Sequence, residues 1–311
     1  MMKNYVKNLV SILFFVLIVS AFTYYISSNI SDFKQIRVSK PILLLPLFLL
    51  TFIGFILSGL VIKYLVMPFD ILIKFKEWFG LSILTSFYNT LFPFKGGLII
   101  KATYLKKKFS FSITNFIALM AGTYIILFFV SGLFGLLTLL IIYYYYNIFN
   151  IIVLIIFSGL FLGPLFIIIF SPKLPETKNP FINKFIRIIN GWHFLKNQKK
   201  ILLVLIIILF FQNLLGTLST ILYYAVFGIH INFIKSLFLV CISSISVVFS
   251  ITPAGLGINE AVSVFSALVL GITPVQSIPV AILSRVITTI FVLIFGPVFS
   301  YIFLKDIKNN Y

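Results

Sequence analysis

The chain reads as an all-α, polytopic helical membrane protein, and three features of its 311 residues point there. Apolar residues make up 61% and charged residues only 10%, against roughly half and a quarter in soluble domains, so the medium around this chain is lipid. Several apolar runs reach the roughly 20 residues of helix that a bilayer about 30 Å thick demands. Runs such as 201–211 lack the two-residue alternation of a membrane-spanning strand.

Charge refines this class. The net charge of +18 would suggest nucleic acid in a soluble protein, but the basic residues here sit in short segments flanking apolar runs, where they set topology. Such a surface also favours anionic headgroups. The single cysteine, Cys241, permits neither an intrachain disulfide nor a thiolate metal cluster, and nothing implies a cofactor or a bound metal.

Taken in order, Met1 to Asn8 carries Lys3 and Lys7 ahead of the apolar stretch 9–22, which has the outline of a secretory signal. No small-x-small cleavage site follows, and Tyr24 and Tyr25 suit an interface anchor, so 8–27 is read as the first membrane helix. Further crossings are predicted at 41–66, 112–142, 149–171, 201–227 and 278–304. The segment 172–200 holds Lys173, Lys178, Lys184, Arg187, Lys196, Lys199 and Lys200 against Glu176 alone, and reads as a basic cytoplasmic loop between two halves of one transmembrane domain, 1–311. Counting from that anchor places both termini and 63–111 on the cytoplasmic face of the plasma membrane, and 28–40, 143–148 and 228–235 outside. Lys34, Arg37 and Lys40 run against the count but are outweighed.

Two regions fit poorly as simple crossings. Trp78 to Phe92 is short and stops at Pro93-Phe94-Lys95-Gly96-Gly97. Phe233 to Phe249 stops at Thr252-Pro253-Ala254-Gly255-Leu256-Gly257 and restarts as Ile258 to Leu270. Proline removes a helix donor and glycine admits backbone that helices exclude. Broken backbone at membrane depth is tolerated only inside protein or along a wet cavity, so the breaks imply a cavity. Six full spans plus two re-entrant hairpins, entering from opposite faces, would make an inverted repeat. The alternative turns the second region into two crossings, with eight spans in all.

Of six acidic residues, only Glu260 lies well inside a predicted membrane region, where an ionisable side chain costs on the order of 3 kcal/mol. Glu260, Ser263, Ala267 and Gly271 share one small or polar helix face. A simpler role for Glu260 is to cap its helix from the first turn. Arg285, set in the apolar span 278–304, shares a face with Thr288, Thr289 and Gly296. It could pair with Glu260, hold a lipid phosphate with its bidentate fork, or snorkel to a nearby surface.

In the first break, Asn89, Lys95 and Lys101 bracket Pro93, Gly96 and Gly97, where exposed backbone N–H groups suit an anion. Lys95 and Lys101 also read as flanking cytoplasmic charge. Gln212, Asn213, Ser243, Ser246 and Ser250 either line the same cavity or bond between helices. No nucleophile with a positioned base is visible, and the spacing around His193 and His230 in the sequence marks no metal site.

These residues carry a resemblance. Pro253-Ala254-Gly255-Leu256-Gly257-Ile258-Asn259-Glu260, followed by Arg285, resembles the second-half motif of the lysylphosphatidylglycerol synthase transmembrane, or flippase-like, family. Asn89 through Pro93 to Gly97 is similar to that family's first-half motif. The likeness spans roughly 5–305 and implies lipid translocation or handling, with membrane lipids, anionic or phosphate-bearing, as partners. With the chain ending just after its last span, it implies no synthase domain. The family often carries a basic residue before the glutamate; here it is Asn259. A rival expectation is a non-catalytic membrane subunit that anchors or regulates a separate envelope glycosyltransferase or lipid-modifying enzyme. Neither reading involves nucleic acid.

Overall fold

Pro or Gly follows within two residues of the ends of Leu44–Val66, Phe75–Leu91 and Lys199–Val226, whereas Pro164, Pro279 and Pro297 lie inside helices. The computed structural model describes residues 37–308 except 93–94, 171–173 and 250–251, together with 23–24, 27–28 and 30–31. The crossing read at 8–27 therefore lies almost wholly outside the described residues, as does Pro93. The described chain is helical throughout: α1 Leu44–Val66, α2 Phe75–Leu91, α3 Gly96–Phe109, α4 Ile113–Tyr146, α5 Ile151–Phe170, α6 Pro180–Asn197, α7 Lys199–Val226, α8 Phe233–Ser243, α9 Ser246–Phe249, α10 Ile258–Val269 and α11 Pro274–Lys308.

Five helices are long and apolar enough to cross a membrane: Pro41–Phe69, Ile113–Tyr146, Ile151–Phe170, Lys199–Val226 and Pro274–Asp306. They coincide with the five crossings expected beyond residue 40. Their outward faces are apolar, as lipid requires: Leu45, Leu49, Leu140, Ile155, Leu162, Leu203 and Ile294 are all exposed. By contrast, α2, α3, α8 and α10 have 17, 14, 11 and 12 residues, about 16 to 26 Å at 1.5 Å per residue, less than the width of a bilayer.

These short helices occupy the interior. α2 packs among α1, α3 and α11, and α8 among α4, α7 and α10. Leu81 and Ile83 of α2 join Leu65, Leu105 and Phe291 in one apolar cluster, while Phe238 and Ile242 of α8 join Ile142, Phe157 and Tyr224 in another. Between them, α1 lies against α7. Close approach of α4 and α5 depends on Gly132, where a Cβ would stand 2.5 Å from the backbone nitrogen of Phe161.

The chain connections fall into two groups at opposite ends of the long helices. At one end, the backbone N–H groups of Ser39 and Lys40 donate to the Val226 carbonyl at 2.8 and 3.1 Å. Asn232 donates to the Tyr146 hydroxyl at 2.6 Å, and the Lys235 ammonium sits 4.4 Å from the Tyr146 ring. At the other, Lys108 reaches Glu77 at 2.7 Å and Asp306 at 3.4 Å. The segment 172–200, expected as a loop, contains α6, an 18-residue helix lying against α4 that buries Ile186, Trp192 and Leu195. Burying that apolar surface holds its backbone helical between the basic residues.

Candidate functional site

The second interruption turns on three residues of positive φ, 51° at Ala254, 66° at Gly255 and 80° at Gly257, with Leu256 between them at −51°. Side chains tie it down. Thr252 donates its hydroxyl to the Leu256 carbonyl at 2.8 Å, and Asn259 donates its amide to the Ala254 carbonyl at 3.1 Å. A Cβ on Gly255 would stand 2.7 Å from that amide nitrogen, so glycine and asparagine fit as a pair.

Helix α10 starts directly after the turn, which puts Glu260 in its first turn. One carboxylate oxygen of Glu260 accepts the Gly257 N–H at 2.8 Å and the other accepts the Arg285 Nε–H from α11. The cap and the ion pair, alternatives on sequence grounds, are thus made by one side chain. The two side chains are only 14% and 22% exposed, and a charge so placed is tolerable chiefly because its partner is present. Pro274 begins α11 and Arg285 lies 11 residues on, about 16 Å along the helix axis at 1.5 Å per residue, deep for a guanidinium.

The first interruption lies alongside. The Asn89 side-chain carbonyl accepts the Gly97 N–H at 2.9 Å, and Lys95, in left-handed backbone with φ 57°, donates its ammonium to the Val247 carbonyl at 2.6 Å. That ammonium also sits 5.0 Å from the Tyr124 ring. Lys95 therefore bonds one break to the helix leading into the other, and α2 touches the Pro253–Gly255 turn.

Above the junction is a cavity of about 430 Å³, a volume usual for small-ligand sites. Its walls come from α2 (Thr90), α7 (Gly216, Ser219, Thr220, Tyr223, Tyr224), α8 (Leu239, Val240, Ser243), the turn and α10 (Ala254, Asn259, Glu260, Ser263, Ser266), and α11 (Ser277, Val280, Ala281, Ser284, Arg285, Thr288, Thr289). More than half of these carry a hydroxyl, in helices whose remaining surface is mostly apolar. Among the described residues no group of three or more His, Cys, Asp or Glu side chains could hold a metal ion.

Of the residues singled out in the sequence, Glu260, Asn259 and Arg285 line the cavity, and Pro253, Gly255 and Gly257 shape the turn beneath it. Asn89, Lys95, Gly96 and Gly97 build the neighbouring break, and Lys101 is buried in α3; none of the five faces the cavity. Ser263, Thr288 and Thr289 line it as their helical spacing suggested, whereas Gly296 faces Phe87 of α2 instead. Gln212 donates to Ser58 on α1 at 3.3 Å and Asn213 to the Leu209 carbonyl of its own helix at 3.0 Å, which are packing roles. Ser243 lines the cavity, Ser246 is buried elsewhere and Ser250 lies outside the described residues. The sequence reading passed over Gly216, Ser219, Thr220 and Tyr223, although their i, i+3, i+4, i+7 spacing in an apolar helix marks an inward polar stripe.

The family described as lysylphosphatidylglycerol synthase TM region has a model that matches residues 8–296. The chain belongs to that family. No curated protein and no solved structure matches it. In this member of the lysylphosphatidylglycerol synthase TM region family, the string Pro253 to Glu260 is the turn and cap described above, and Asn259 serves to brace that turn.

Proposed function

We propose that this chain handles or translocates lipids by admitting a headgroup to the hydroxyl-lined cavity while the acyl chains stay in the bilayer. One observation carries the reading: an ion pair and a dozen hydroxyls are gathered in one cavity of about 430 Å³ among helices otherwise built for lipid. The cavity gives a polar headgroup hydrogen-bonding partners that the surrounding hydrocarbon lacks. Arg285 gives the headgroup an oxygen-binding contact, suited to an anionic or phosphate-bearing lipid.

In this reading α2 with α3, and α8 to α10, are re-entrant hairpins that reach mid-membrane from opposite faces. The element order supports an inverted repeat: a long helix, a short helix, a break, a short helix and a long helix recur as α1 to α4 and as α7 to α11. The contacts support it too, since α2 of one half packs on α11 of the other, and α8 packs on α4 in return. Together with the helix expected at 8–27 this makes six crossings in the plasma membrane, with both termini and the basic 172–200 segment in the cytoplasm.

The test is transbilayer movement in reconstituted vesicles, read by outer-leaflet headgroup labelling. Glu260→Gln leaves Arg285 unmatched and should abolish movement at normal protein levels. Undiminished movement in that variant would remove Glu260 from the mechanism, and no movement of any lipid by the native chain would remove the function itself.

A further inference from the structure

We infer that the cavity selects a headgroup with several hydroxyl groups, of the sugar or glycerol type, over an aminoacylated, cationic one. The inference rests on the reading that a lipid headgroup enters this cavity. It comes from the direction of the hydrogen bonds in the wall. Thr90, Thr220, Ser243, Ser284 and Thr288 line the cavity, and each donates its hydroxyl to a carbonyl of its own helix, at 2.7 to 3.0 Å. A carbonyl has no proton to give, so each hydroxyl proton is already used. What these side chains turn toward the cavity is oxygen lone pairs.

Ser219, Ser263 and Thr289 also line the cavity and, among the described residues, donate to no carbonyl, so the wall holds acceptors with a few free donors between them. Two kinds of headgroup are rich in the donors such acceptors bind: polyols and ammonium groups. Charge decides between them. The carboxylate in the wall, Glu260, has both oxygens engaged and its charge matched by Arg285. Arg285 uses only its Nε in that pair, and its terminal Nη groups make no hydrogen bond among the described residues. An ammonium entering here would shed its hydration beside an arginine with no free counter-charge to receive it. A sugar or glycerol group is uncharged. It offers O–H donors to the hydroxyl wall and oxygens to the Arg285 Nη groups, so its lost water contacts are replaced on both sides. A phosphodiester, which only accepts, suits Arg285 and the free hydroxyls but leaves the acceptor side chains unmatched, so phosphate alone is not the recognised feature.

The experiment is equilibrium binding of dioctanoyl lipids to the purified full chain in detergent, read by native mass spectrometry. The four probes are a glucosyl diacylglycerol, phosphatidylglycerol, lysylphosphatidylglycerol and phosphatidic acid. At least one of the first two should bind about 25-fold tighter than either of the last two, as two additional hydrogen bonds would provide. Whichever of the two prevails tells sugar from glycerol. The variant T220V/S243A/S284A/T288V should lose that preference, at roughly fivefold per hydroxyl. If it does not fold, Ser284→Ala and Thr288→Val singly carry the same test. Lysylphosphatidylglycerol or phosphatidic acid binding as tightly as both hydroxylated lipids would overturn the inference, as would a preference that survives loss of the hydroxyls. Transport is read separately: polyol preference without transbilayer movement removes translocation and keeps this site, while movement with a cationic preference does the reverse.

Discussion

Glu260 closes the first turn of α10 with one oxygen and neutralises Arg285 with the other, so the same carboxylate serves local structure and the cavity wall. Removing either partner strands the other charge in a poorly hydrated place, whereas removing both leaves none. A double-mutant cycle with Glu260→Gln and Arg285→Met should therefore show coupling of about 1–3 kcal/mol, measured by thermal unfolding in detergent. Additive effects would mean the pair does not persist. Gly97 is a steric counterpart: a Cβ there would lie 1.9 Å from the Thr85 carbonyl oxygen, so α2 and α3 would have to separate. Gly97→Ala should cost about 1–3 kcal/mol. Gly159, on α5 with open space around it, is the control, and its change to Ala should stay within about 1 kcal/mol of the native chain.

At the level of elements, the hairpin α2/α3 is clamped to the far end of α11. Glu77 caps α2 by accepting the Lys74 N–H at 2.7 Å, and Lys108 at the end of α3 pairs with Glu77 while reaching Asp306 on α11. Partial burial opposes the charge on Lys108, but its hydrogen bond with the Glu77 carboxylate, with Tyr104 beside it, outweighs that and holds the ammonium above its ordinary value of 10.5. A raised folded-state value means a contribution fully present below the ordinary lysine value and lost as pH rises through the raised one. Lys108→Met should therefore lower the unfolding midpoint by a few degrees at neutral pH, on the scale of about 1 kcal/mol for a partly exposed pair. The gap to the native chain should close in strong alkali. A gap that instead persists there would point to lost methylene contacts rather than lost charge.

Across the whole molecule, bonds between connections decide which loops share a face. Residues 39–40, 146, 226 and 232–235 gather at one end and 77, 108 and 306 at the other, which agrees with the parity counted from the basic segments. Cys241 is the chain's only cysteine and is buried, so introduced cysteines can be read cleanly. In sealed cells, Ser39→Cys and Tyr144→Cys should react with an impermeant maleimide, while Lys107→Cys and Lys178→Cys should react only after permeabilisation. Mixed labelling within either pair would break the topology. The same arrangement sets both interruptions side by side, with Lys95 bonded across to Val247 and the cavity directly above.

The fold class and five crossings were legible because lipid imposes its demand on each helix separately: a long apolar run is sufficient without knowing its neighbours. Glu260 and Arg285 stood out for the same reason, as charges where single helices do not tolerate them. Contacts between helices were not legible. Nothing in the order of residues tells that Arg285 meets Glu260 rather than a headgroup, that Gly296 faces Phe87, or that Lys95 spans to the second break. Nor does it tell that Gly216, Ser219, Thr220 and Tyr223 complete the wall. Those depend on which faces meet once seven or more helices share one volume, and on a hydrophobic stripe in lipid carrying no mark of its partner. The sequence by itself determined the medium, the long apolar helices and the two breaks; only tertiary structure decided which polar groups would share a cavity, because that depends on distances between segments far apart along the chain.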